Sequence, residues 1–381
     1  MTEAKPARIS CLGIHRMAAD LPLARSLQNT AVARVDLAAV THNLRVARRL
    51  CPRSRVMAMV KANAYGHGLV PVARALANAD GFAVARLEEA VVLRKAGIGS
   101  RIQLLGTHLG RDDLAVCAQL DIDVTAHDRD SVEAIVAAAR EHALRVWIKL
   151  DSGMHRLGLD PGAFLEADRL FASHPGVLEV GHMTHFSSAD EVDPRTLNPH
   201  LEIFNECHAS NPTAAASLAN SAALLTRPDT HSDWVRPGIM LYGASPVRGI
   251  DLDLRPAMQL ASRVIAVREI PAGDAVGYNR RWVARRQSRI ATIGIGYGDG
   301  YPRHARSGTP LLLHGRRVEL AGRVSMDSLC VDVSDCADVA VGDEVELWGK
   351  ELPAEIVAEH AATIHYELFT GLTARVIREY V

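Results

Sequence analysis

The residues of this chain best suited to chemistry fall one after another at or just beyond the ends of short apolar runs. Lys61 ends one in Met59-Val60-Lys61-Ala62-Asn63. Arg156 lies in Gly153-Met154-His155-Arg156-Leu157, His185 in Thr184-His185-Phe186, Ser221 follows Asn220, and Arg236 opens Arg236-Pro237-Gly238-Ile239. Ser221 and the backbone N–H groups of Gly238 and Ile239 are the donors a phosphate needs, and Gly238, lacking Cβ, lets the backbone approach phosphate oxygens. A lysine across the same opening is placed to form an imine with a pyridoxal aldehyde. Singly, each residue has a plainer explanation: a strand-end lysine is a solvated charge, a lone arginine an ion-pair partner, and His185 beside Phe186 a hydrogen-bonded core histidine. Five unrelated polar sites sharing one face by chance is a much poorer account of the set.

These residues share a face only if the runs are strands of one parallel sheet. Eight strand candidates, residues 55–61, 81–86, 101–106, 122–126, 145–151, 178–185, 214–220 and 234–242, alternate with amphipathic stretches such as 70–79, 87–96, 131–142 and 196–210. Alternation of this kind predicts an α/β fold, and eight repeats predict a closed (β/α)8 (TIM) barrel, whose active-site face is at the C-terminal strand ends. The loops after the seventh and eighth strands are the usual phosphate site, which is where Ser221 and Gly238 fall. Beyond Leu254 the texture changes to short alternating strands (262–269, 289–296, 317–321, 328–333, 344–347) broken by turn residues such as Pro271-Ala272-Gly273-Asp274 and Gly298-Asp299-Gly300. The expected organisation is an N-terminal extension over 1–30, a cofactor-binding barrel over 31–255 and a mostly β C-terminal domain over 256–381.

At 381 residues the chain exceeds the size of a single core, so two domains are expected. A formal net charge of -1 with interspersed signs argues against nucleic-acid or membrane-surface partners and for small-molecule chemistry. Six cysteines without a CxxC pair indicate reduced thiols in a cytoplasmic protein, and no metal site is expected. Neither a signal-peptide core nor a bilayer-length apolar run is visible.

With these residues in place, the chain from about Ala33 onward closely resembles the alanine racemase family, pyridoxal-phosphate isomerases of fold type III. The motifs are Val60-Lys61-Ala62-Asn63-Ala64-Tyr65-Gly66-His67-Gly68, Gly153 to Gly158, Thr184-His185-Phe186, Ala219-Asn220-Ser221 and Val235 to Ile239. Further on come Val276-Gly277-Tyr278-Asn279, Gly294 to Gly300, Gly322 to Asp327 and Thr363 to Glu367. The resemblance implies that Lys61 is the Schiff-base lysine and Tyr278 a second base. It implies that Arg236 partners the pyridine nitrogen with His185 behind it, and that Tyr65, Asn220, Ser221, Gly238, Ile239 and Tyr366 help hold pyridoxal 5'-phosphate. Arg156 and the backbone of Met326 are implied at the substrate carboxylate, Lys149 as a lysine that is carbamylated in some members, and Tyr278 as a residue reaching the other subunit of a homodimer. The implied activity is interconversion of L- and D-alanine; supply of D-alanine for peptidoglycan is the expected role, with consumption of D-alanine the alternative. Ser325 stands where relatives often have Cys, and His155 where a glycine is common; either can alter the pocket around Arg156.

The residue set suits racemisation. Inverting a planar Cα requires a proton from the opposite face, so two opposed bases succeed where one rigid base returns the same isomer. Lysine and tyrosine both have ordinary pKa values near 10, and using either as a base near pH 7 costs roughly 4 kcal/mol. Burial helps the lysine but opposes the tyrosine, so Tyr278 needs cationic or hydrogen-bonding help, for which Arg156 and His185 are candidates. An arginine at the pyridine nitrogen leaves that nitrogen unprotonated and weakens the electron sink. A decarboxylase of the same barrel type would pair that nitrogen with a carboxylate and lack the tyrosine. A non-catalytic carrier would need no second domain.

Overall fold

The computed structural model describes residues 31–191, 193–247, 249 and 252–381, and the N-terminal extension over 1–30 lies outside the described residues. It divides into two compact units. One comprises Ala33–Leu260, Trp348–Leu372 and Arg378–Val381; the other comprises Ala261–Leu347 and Thr373–Ile377 with residues 31 and 32.

In the first unit, after β1 (Val32–Val35) and α1 (Leu37–Leu50), eight parallel strands close into a barrel. They are β2 (Arg55–Met59), β3 (Gly81–Val84), β4 (Arg101–Leu104), β5 (Ile122–Ala126), β6 (Leu144–Lys149), β7 (Val177–Met183), β8 (Ala215–Asn220) and β9 (Trp234–Arg236), with β9 returning to pair β2. Near-continuous apolar runs such as Val56-Met57-Ala58-Met59 suit strands covered on both faces. Outside them lie α2 (Leu69–Ala75), α3 (Leu87–Lys95), α4 (Arg111–Gln119), α5 (Arg129–Ala138), α6 (Pro161–Ser173), α7 (Asn198–His208) and α8 (Ser221–Thr226). Their starts are chemically marked: Asp36, Asp128, Asp160 and Asn220 accept from the first-turn N–H groups of α1, α5, α6 and α8, and Pro161 takes the first position of α6.

Toward the N-terminal strand ends, the fully buried Asp123 of β5 accepts from Arg101 Nε at 2.5 Å, Arg145 Nε at 2.8 Å and Trp147 Nε1 at 3.0 Å. Three charge-assisted or polar donors on one carboxylate make this charge tolerable inside the barrel. Here the structure differs from the expected strands mainly in length. Strand β9 stops at Arg236 rather than 242, because Pro237 has no N–H for a ladder and Ile239–Tyr242 folds as a 3-10 turn.

In the second unit β10 (Met258–Ile270), which starts in the first, is followed by β11 (Ala275–Val276), β12 (Trp282–Val283), β13 (Ser288–Ile293), β14 (Pro310–Leu313), β15 (Arg316–Leu320), β16 (Leu329–Asp332) and β17 (Glu344–Trp348). The order β13-β16-β15-β14-β17-β10, with β10 also pairing β13, closes six strands on themselves, as a mostly β domain. Helices α9 (Ala354–His360) and α10 (His365–Gly371) and the end of β18 (Ile377–Tyr380) return to the first unit. No helix among the described residues is long and apolar enough to cross a membrane.

Candidate active site

Lys61 begins two residues beyond β2, in a backbone that turns the wrong way. Ala62, Asn63, Ala64 and Tyr65 have φ of 53°, 56°, 53° and 51°, a left-handed turn made without a single glycine. Each such residue costs about 1–2 kcal/mol, so surrounding contacts must hold the turn in place. Asn63 contributes two of them: its side-chain Oδ1 accepts from Leu69 N and its carbonyl from Gly68 N, both at 2.9 Å. His67 Nδ1 is 2.8 Å from the Tyr65 carbonyl, and Arg378 Nε donates to Gly66 O at 2.6 Å. Gly66, at φ 82°, is obligatory, since a Cβ there would lie 2.0 Å from Phe369 O.

The barrel brings Lys61, Lys149, His185 and Arg236 into one electrostatic cluster with Arg156. Burial first, then the positive charges of Arg156 and Arg236, hold the Lys61 amine below the usual lysine range, with Glu89 opposing. Lys149, at the end of β6, is brought down to about 8 by burial and then by Arg236, Arg156 and Lys61. His185 is held well below the ordinary histidine value by burial and the same cations, so its imidazole is neutral near pH 7. Arg156 itself is exposed, on a loop whose Asp151 accepts from Gly153 N and His155 N at 3.0 Å.

Arg236 is the sharpest feature of the cluster. It is 3% exposed, and burial brings even its guanidinium down to about 10. It donates to Ser217 Oγ at 2.6 Å, Thr184 O at 2.5 Å and Leu218 O at 3.1 Å, and has no carboxylate partner among the described residues. Its Nε donates to none of them. A buried cation with a spare donor is costly unless an acceptor or anion faces it.

The strand ends next to it form a cradle. Gly238 N donates to Ser221 Oγ at 2.7 Å, both buried, and Asn220 caps α8 through Ala223 N, leaving Ser221 at the first position of that helix. A Cβ on Gly238 would stand 2.6 Å from Tyr65 Oη, so only glycine leaves this space open. Tyr65 stacks on Tyr242 at 4.9 Å, Tyr366 lies 6.1 Å away, and burial raises the Tyr65 hydroxyl to about 12, keeping it a neutral donor. Ile239 is buried beside Gly238.

Two expected site residues belong to the other unit. Tyr278 is 67% exposed and follows Gly277 in a short 3-10 turn; Met326 is 53% exposed in the loop before β16. Sequence reasoning did not single out Ser217 and Thr184 O as the partners of Arg236, or Tyr242 beneath Tyr65. Their signal was available in part: Ser217 lies within β8 and Tyr242 closes the turn after β9, both close in sequence to residues that were recognised.

Two family profiles match the chain, "Alanine racemase, N-terminal domain" over residues 35–246 and "Alanine racemase, C-terminal domain" over 257–380. The biosynthetic alanine racemase of Pseudomonas aeruginosa is 48% identical over 353 residues, 92% of this chain and 98% of that protein. The alanine racemase of Aliivibrio salmonicida is 46% identical over 92% of this chain and 99% of its own. Among solved structures, that of the Pseudomonas aeruginosa enzyme superposes with a TM-score of 0.90 at 47% identity, covering 93% of this chain and 99% of the other. An alanine racemase from Bartonella henselae with covalently bound pyridoxal phosphate superposes at 0.86 with 31% identity, covering 92% and 99%. Matches of this length in both halves, to sequences and structures alike, make the chain a member of the alanine racemase family.

Proposed function

We propose that this protein is a pyridoxal-phosphate isomerase that interconverts L- and D-alanine with Lys61 and Tyr278 as opposed bases. The observation that carries the reading is Arg236, a buried guanidinium with no carboxylate partner and an uncommitted Nε donor among the described residues. An aromatic nitrogen that accepts a hydrogen bond suits that donor, and the Ser221–Gly238–Tyr65 cradle suits a phosphate. The residues present therefore fit the cofactor. Tyr65, Ser221, Gly238, Ile239 and Tyr366 would hold its phosphate, with Asn220 setting Ser221 on its helix, Arg236 would face its ring nitrogen, and Lys61 would anchor it. When bound, it supplies an aldehyde that captures the substrate amine and an electron sink that acidifies the substrate Cα–H.

The chain's own residues then handle binding and protons. Lys61, its amine held below the usual range, takes or returns a proton on one face of Cα. Tyr278, from the partner subunit of a homodimer, does so on the other face. Neutral His185 adds no charge behind Arg236, so Arg236 stays free to donate. Arg156 and the Met326 N–H receive the substrate carboxylate. Lys149, with its amine down at about 8, has the free base that addition of carbon dioxide requires; the carbamate would place a negative charge among the surrounding cations and orient Arg156. We further propose a cytoplasmic enzyme that supplies D-alanine for peptidoglycan, in keeping with the name of its Pseudomonas aeruginosa relative.

Chiral chromatography of L-alanine incubated with the holoenzyme should show approach to equal amounts of both isomers, with no carbon dioxide released. Lys61→Ala and Tyr278→Phe should each slow conversion by at least about a hundredfold. Full activity in either variant would exclude the two-base assignment. A panel of other L-amino acids, serine first, would define how strict the pocket is, since one methylene discriminates by only about 1–3 kcal/mol.

A further inference from the structure

The loops around Met326 are tied by an ion-pair strap that the reaction as proposed does not use. Arg375, on the chain between α10 and β18, donates to Asp327 Oδ1 through Nη2 at 2.7 Å, and its Nε lies 3.0 Å from Asp299 Oδ1. Asp299 is the buried hub of the Gly296–Gly300 loop. Its Oδ2 accepts from Gly296 N at 2.9 Å and its carbonyl from Thr373 N at 3.1 Å. Thr373 Oγ1 in turn donates to Gly298 O at 3.0 Å. This loop grips the neighbouring one: Tyr297 N donates to Ser325 O at 3.0 Å and Gly298 N to Met326 O at 2.8 Å. The packing is close enough that a Cβ on Gly296 would stand 2.3 Å from both of those carbonyl oxygens. The carbonyls on both sides of the Met326 peptide are thus pinned and Asp327 is tethered, while the Met326 N–H donates to no group among the described residues.

We infer that Arg375 is a positioning residue for the substrate carboxylate, holding the Met326 peptide at a fixed attitude by strapping Asp327 to Asp299. This rests on the assignment of the Met326 N–H to the carboxylate. Stability is a poor reason for the outer half of the strap, because Arg375 and Asp327 are 51% and 67% exposed and ion pairs in water contribute little to folding, while Asp299, its side chain 8% exposed, anchors the inner half. What such a strap does well is remove freedom from a donor that must meet a carboxylate at one angle.

In the holoenzyme, Arg375→Ala and Asp327→Asn should each raise KM for L-alanine about tenfold with kcat within about twofold, the signature of lost binding common to ground and transition state. The inhibition constant of propionate, which keeps the carboxylate and lacks the amine, should rise in parallel. Arg375→Lys should recover part of the loss, and the double variant should be no worse than either single one. Arg286→Ala, which breaks a comparable surface pair with Asp335, should leave KM unchanged. A fall in kcat at constant KM, as from a smaller folded fraction, would overturn the inference, as would an equal rise in KM for Arg286→Ala. Hydrogen exchange over residues 325–328 reads the strap without catalysis: Arg375→Ala should accelerate it, and unchanged exchange refutes the strap. If the wild-type protein does not racemise alanine, the functional assignment fails while the exchange result still stands.

Discussion

Lys149 shows how much of the site rests on one residue's surroundings. Its amine, brought down to about 8, lies below the ordinary lysine value near 10.5 because folding buries it and surrounds it with Arg236, Arg156 and Lys61. The folded state therefore releases the Lys149 proton at lower pH than the unfolded chain. The cost of burying the ammonium is full below pH 8 and fades as pH rises toward 10.5, so stability from this source increases with pH. In buffer free of carbon dioxide, Lys149→Met should be the more stable form at pH 7, by on the order of 2 kcal/mol after allowing for partial exposure, and the difference should vanish near pH 10.5. Urea denaturation at the two pH values measures both. If the carbamate forms, bicarbonate at pH 8 should raise the melting temperature of the wild-type protein and leave Lys149→Met unmoved. Labelled carbon dioxide should give a carbamate carbon signal only in the former. A bicarbonate response in both proteins would count against the assignment.

At the scale of elements, the left-handed turn from Ala62 to Tyr65 is where local preference and tertiary structure conflict. Four such residues cost roughly 4–8 kcal/mol, as much as many domains have in total. Arg378, reaching Gly66 O and also Leu372 O at 3.1 Å, ties this turn to the chain's last strand. Arg378→Ala should lower unfolding free energy by about 1.5–3 kcal/mol, the value of charged hydrogen bonds, and should expose the turn to proteolysis; a change under about 0.5 kcal/mol would show the turn is held by other means. Sequence alone could not reveal this turn, because Ala-Asn-Ala-Tyr has the ordinary signature of a right-handed helix start. The barrel strands were legible because buried parallel strands leave continuous apolar runs, and their C-terminal ends were marked by Lys61, His185, Asn220 and Arg236. Strand β1, helix α1 and the helices α9 and α10 went unrecognised, the last two because they interrupt a region whose surrounding pattern is β. The end of β9 at Pro237 could have been read, since proline cannot donate to a central ladder. Arg375 could not, because its role appears only when Asp299 and Asp327, 28 residues apart in sequence, are brought to one guanidinium.

The whole molecule raises the question of where the second base is completed. In the single chain Tyr278 is 67% exposed and Met326 53% exposed, so neither has the enclosed surroundings that direct a proton or a carboxylate hydrogen bond in a site shielded from water. A second copy of the chain would supply that enclosure, and an isologous pair would complete two equivalent sites at once, each with Lys61 from one subunit and Tyr278 from the other. When equal amounts of Lys61→Ala and Tyr278→Phe protein are mixed and allowed to exchange subunits, about half the dimers are mixed, and each mixed dimer has one site with both wild-type residues and one with neither. Two nearly inactive preparations should therefore regain about one quarter of wild-type activity as exchange proceeds, at a rate that follows subunit dissociation and not substrate turnover. If both bases instead come from the same chain, every site in every mixture lacks one of them. Activity would then stay at the level of the separate variants however long exchange continued, and the dimeric site would have to be abandoned.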